Sequence, residues 1–151
     1  MGMPHYDRDP SPRARIAAEC LTRGKEALVT GCAALLDGRP GDVDDNLVLV
    51  LGGETARYIL GGFEGGKDGY WPRVWAARGL MYAWDELAAD AVICATADHS
   101  WRVREMAAKV IGRHRVADAY YAVDRLRGDG VPRVRAAAEQ AIRILTDEGL
   151  P

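Results

Sequence analysis

The sequence predicts an all-α protein of the α-solenoid kind, a row of helical hairpins, and three observations carry that prediction. A motif recurs about every thirty residues. The apolar residues behind each copy fall at helical spacing, and glycine or proline breaks the chain between the periodic stretches. The 151 residues are 48% hydrophobic and 28% charged with net charge −2, a composition that fits one globular domain and excludes a disordered tail or a fibre. A chain of this size buries ~68% of its unfolded surface, enough for a core without disulfides or metal.

Residues 1–8 read as a flexible N-terminal arm, and 9–151 as a single domain of about five repeats. The first copy of the motif, Asp9-Pro-Ser-Pro-Arg13-Ala14-Arg15, opens a helix with a capping acid or Ser and a proline in the first turn. An apolar stretch from Lys25 to Leu36 supplies the second helix of that hairpin. The next copy, Asp42-Val-Asp-Asp-Asn46-Leu47-Val48, keeps the acid and the apolar position but lacks both arginines. Its β-branched run, Leu47 to Leu51, reads as helix, because it stands where the other copies start theirs and no second strand exists to pair with it.

Glu54 to Leu60 follows, and then the third copy, Gly69-Tyr-Trp-Pro-Arg73-Val74-Trp75. The fourth, Asp98-His-Ser-Trp-Arg102-Val103-Arg104, and the fifth, Asp129-Gly-Val-Pro-Arg133-Val134-Arg135, are the most regular. Between and after these lie second apolar stretches, Asp85 to Thr96 and Arg115 to Arg127, and a single last helix ending near Leu145. The apolar positions Ala14, Leu47, Val74, Val103 and Val134 are 33, 27, 29 and 31 residues apart. Gly24, Gly38 with Pro40, Gly52-Gly53, Gly61-Gly62, Gly112 and Gly128 are read as helix ends.

The segment from Trp101 to Gly112, with its acid-led opening, resembles a HEAT repeat. The ~30-residue period is that of the short, phycocyanobilin lyase-like form, and the likeness extends from Asp9 to Leu145. Small bacterial HEAT-repeat proteins are the implied relatives, in keeping with a composition that favours Ala, Gly, Arg and Val over Lys. The resemblance implies a structural ladder in which an Asp and the Arg six residues later tie neighbouring repeats. Asp9/Arg15, Asp98/Arg104 and Asp129/Arg135 have that spacing. Val48 and Trp75 fall on the ladder position in the other two copies, so the ladder is expected to be interrupted in mid-row.

Sites for chemistry are sparse. Gly61 to Asp68 has the spacing of a phosphate loop up to its last residue, but Asp68 stands where a hydroxyl would hold Mg²⁺, and no strand precedes it. An inter-repeat loop is the expectation. Cys94, His99 and His114 form no metal-ligand spacing, so neither a metal nor a cofactor is expected. Cys20, Cys32 and Cys94 read as buried, unreactive thiols of a reducing compartment, and the two histidines as surface residues. With no signal segment recognised and no apolar run near the ~18 residues of a membrane span, a cytoplasmic protein is expected.

Five aromatic residues, Tyr70, Trp71, Trp75, Tyr82 and Trp84, cluster within fifteen positions. They serve either core packing or a recognition patch, and Tyr70, Trp71, Trp75, Trp84, Trp101 and Arg102 form the candidate contact surface. Charge is uneven too: residues 37–98 carry net −6 and residues 101–146 net +5. The expected function is a non-catalytic module binding a protein partner, as a monomer or weak homodimer. The alternative is nucleic-acid binding, since Trp84-Asp85 and Trp101-Arg102 faintly resemble the groove of HEAT-type alkylpurine DNA glycosylases.

Overall fold

The computed structural model describes residues 10–147, so the arm of residues 1–8 and the ladder residue Asp9 lie outside the described residues. The described chain is all-α, with nine α-helices and no strand. Five helices follow the five motif copies: α1 (Pro12–Thr22), α3 (Asp45–Gly52), α5 (Tyr70–Tyr82), α7 (Trp101–His114) and α9 (Pro132–Thr146). Between them lie α2 (Lys25–Leu36), α4 (Thr55–Leu60), α6 (Ala89–Ala95) and α8 (Tyr120–Leu126). None of these helices is long and apolar enough to cross a membrane.

Local chemistry explains where the helices begin. The Ser11 hydroxyl accepts from the Ala14 amide and the Asp44 carboxylate from the Leu47 amide, each satisfying a donor that the first helical turn leaves free. At α7 and α9 the acid sits further back, and Asp98 and Asp129 instead accept from the amides of Ser100 and Val131. Leu47 to Leu51 is helical, as its place in the repeat predicts.

The motif helices pack in series, α1 on α3, α3 on α5, α5 on α7 and α7 on α9. On α7 the residues Val103, Ala107, Val110 and Ile111 are fully buried, the face an apolar stripe of helical period dictates. Gly112, expected to end a helix, lies inside α7. A Cβ there would stand 3.2 Å from the Cα of Ala141, so the glycine is where α7 and α9 approach closely.

The contacts also correct the repeat's register. Tyr70, Trp101 and Pro132 each open a motif helix, and they are spaced by 31 residues. The third copy therefore aligns two residues earlier than its sequence suggests: Pro72, buried, matches Val103 and Val134, and Arg73 matches Arg104 and Arg135. Pairing of helices changes along the chain as well. In the first half α2 packs on the preceding α1 and α4 on the preceding α3. In the second half α6 packs on the following α7 and α8 on the following α9, while α5 is covered by α2.

Candidate functional site

Arginines at the motif position bind consecutive copies together. The Arg104 guanidinium donates from Nε and Nη2 to both carboxylate oxygens of Asp129, at 2.8 and 3.2 Å, and from Nη1 to the carbonyl of Asp98 at 2.9 Å. Arg73 repeats this geometry, holding the Asp98 carboxylate at 2.8 and 3.1 Å and the Gly69 carbonyl at 3.1 Å. The expected gap at Trp75 therefore does not occur, because the arginine of that copy is Arg73. Arg135 donates to the carbonyl of Asp129 at 2.7 Å. Arg15 turns to main-chain carbonyls: Val50 at 2.7 Å, Leu51 at 3.3 Å, and Pro10. Arg104 beside Asp129 holds that carboxyl below its usual range.

The aromatic residues separate into three groups. Trp75 is core, 5% exposed, with its ring lying over Gly52 of α3, where a Cβ would come within 2.5 Å of it. It is withdrawn from the contact surface. Trp84 lies beyond the C-terminal end of α5, where its ring stacks on His114 at 4.6 Å and its Nε1 donates to Glu86 at 3.1 Å. Trp101 opens α7 at the opposite end, about 20 Å along a helix of that length. The Trp-Asp and Trp-Arg segments that suggest a glycosylase groove are thus not assembled, and Asp85 is engaged in capping the Leu87 amide.

Tyr70, Trp71, Trp101 and Arg102 do come together, at the N-terminal ends of α5 and α7. The Arg102 guanidinium lies 4.6 Å from the Trp101 ring centre, 5.4 Å from Trp71 and 5.6 Å from Tyr70. Arg133 approaches the Trp101 ring at 5.3 Å. A cation over several aromatic faces is attracted by their quadrupoles, which preorganises a flat patch that is both apolar and positive. All four of the first residues are half-buried, and the patch is open to solvent.

Below this patch Glu105, only 5% exposed, accepts from Lys109 at 2.9 Å and from Arg133 at 3.0 Å. Glu105, Lys109 and Arg133 are neighbours of the patch that the sequence motifs did not single out. The 31-residue step places Arg133 one copy on from Arg102, and that signal is present in the sequence.

Other expectations resolve differently. Cys32 is fully buried, and burial pushes its thiol up to about 12; Cys94, expected to be buried, is exposed, since α6 buries Ala91, Val92 and Ala95 instead. His99 is exposed, but His114 is held between Trp84 and the Leu80 carbonyl, 2.7 Å from its Nε2, and burial lowers its pKa. The glycine-rich segment Phe63–Asp68 is a kinked loop with Glu64, Gly65 and Gly66 at positive φ, and Lys67 pairs with Asp45 at 2.8 Å and with the Val43 carbonyl. Among the described residues no group of three or more His, Cys, Asp or Glu is placed to hold a metal ion. Compared with family models, curated proteins and solved structures, the chain has no significant match.

Proposed function

We propose that the chain is a short HEAT-like solenoid acting as a non-catalytic interaction module, with a protein partner seated on the patch formed by Tyr70, Trp71, Trp101 and Arg102. The observation that carries this reading is the stacking of Arg102 among three aromatic rings at a solvent-open junction of two helices. Trp, Tyr and Arg are the residues that most often dominate binding energy at protein interfaces. The constant step from Arg73 to Arg104 to Arg135 and the two Arg–Asp joints support the solenoid, because stacked repeats bind through contacts between neighbours.

The test is capture from a lysate of the source organism by wild type and by a Trp71→Ala/Arg102→Ala variant, each with and without nuclease. A protein held by wild type, lost by the variant and indifferent to nuclease is the expected result. Capture that disappears with nuclease would overturn it in favour of nucleic-acid binding.

A further inference from the structure

Next to the patch, α7 and α9 run side by side in the same direction: Arg133 meets Glu105 near their N-terminal ends, and Ala141 meets Gly112 near their C-terminal ends. On the side away from α6 and α8 the two helices leave an open groove of about 550 Å³. Its floor is Ala108, Gly112, Ala137, Ala141 and Ile144, with Met81 of α5 at one wall. Small residues make this floor, so the groove is smooth, apolar and continuous from Arg133 to Ile144, roughly 16 Å of helix. A second hollow of about 210 Å³, reaching from Glu105, Lys109 and Arg133 to Trp71 and Trp101, joins it to the patch.

The rim is one-sided in charge. Lys109, Arg113 and Arg133 line it, and the single acid, Glu105, is buried and already shared between Lys109 and Arg133. Two positive charges are therefore left over around an apolar floor. An enclosed small-molecule site would surround its ligand, whereas this groove is open along its length and matches the apolar face of one helix of about three turns. We infer that the groove between α7 and α9 seats an amphipathic helix of the partner, with leucine-like residues at positions i, i+4 and i+7 on the floor and acidic residues against Lys109, Arg113 and Arg133.

This deepens the interaction reading and rests on it. The probe is a fluorescein-labelled 14-residue helical peptide with leucines at those positions and glutamates flanking them, titrated against the full chain by anisotropy. Two control peptides replace the glutamates by lysines or the leucines by serines. The acidic peptide should bind, both controls should bind ~10-fold or more weakly, and Arg113→Glu should weaken the acidic peptide to a similar degree, with affinity falling as salt is raised. Arg113 is exposed on the rim, so an unchanged melting curve for the variant separates lost binding from lost fold. Equal binding of acidic and basic peptides, or of leucine and serine peptides, would overturn the groove assignment. If the peptides fail while lysate capture still depends on Trp71 and Arg102, the groove inference falls and the interaction module stands.

Discussion

The two halves of the chain use one motif in two ways. From Tyr70 to Thr146 the motif helices have 13 to 15 residues and repeat at a 31-residue step, and α5 and α7 are each fastened to the next copy by an arginine gripping both oxygens of an aspartate. From Pro12 to Leu60 the motif helices are shorter, Arg15 bonds to carbonyls near the end of α3, and Arg23 pairs with Asp44 at the surface. In the first half α2 reaches across to α5 and α6, whereas α6 and α8, only one residue longer than α4, pack on the motif helix that follows them. The covering helix thus changes partner along the chain while the motif stays the same.

Trp75 sits where the halves meet, and replacing it should have the largest effect. Trp75→Ala removes a buried ring from over Gly52 and is expected to cost about 3–5 kcal/mol, read as a fall in the urea midpoint. A variant that melts like wild type but loses partner capture would return Trp75 to the surface.

Next come the joints. Arg73→Ala and Arg104→Ala should each destabilise by about 1–3 kcal/mol, because each strands a carboxylate that is 11% or 8% exposed. Arg57→Ala, in the first half, should cost at most ~1 kcal/mol, since Arg57 and Glu54 both stand mostly in water. Equal losses at all three would erase the contrast between the halves. Lysine at position 104 should rescue little, as an ammonium cannot bond both oxygens in parallel.

Acid should reach both halves through depressed carboxyls. Asp44, drawn down to about 2 by Arg23, and Asp129, drawn down by Arg104, both contribute stability above the unfolded carboxyl value near 3.9. That contribution is lost as pH falls through the folded value, so stability should decline below about pH 5. Asp129→Asn should start less stable at pH 7 and flatten the decline; an unchanged slope in thermal melts between pH 5 and 2 would rule out Asp129 as a contributor. Thiol labelling gives the smallest perturbation. Cys94 should react at once in the native protein, and Cys32 only after unfolding, which mass spectrometry resolves.

Much of this fold was legible in the sequence, because apolar spacing and capping residues are local. The helix at Leu47 to Leu51 and the end of α9 near Leu145 are of this kind. The two-residue slip at Gly69 was not, since Val74 imitates Val103 in type while Pro72 takes its place in space. Nor could spacing tell that Trp75 lies over a glycine of another helix, or that Trp84 and Trp101 stand at opposite ends of α7. Those depend on contacts between segments distant in sequence.

The joint between Arg104 and Asp129 has a consequence for how such a chain changes length. The segment from Asp98 to Gly128 carries an aspartate at one end to receive the preceding arginine, and Arg104 to reach the aspartate that follows. Spliced in tandem, a second such segment would meet both of its partners ready-made, and the copies on either side would keep theirs. Growth by duplication of 31 residues would therefore keep every Arg–Asp joint, whereas an insertion that lengthened the 25-residue interval from Arg73 to Asp98 or from Arg104 to Asp129 would disturb the joint it enters.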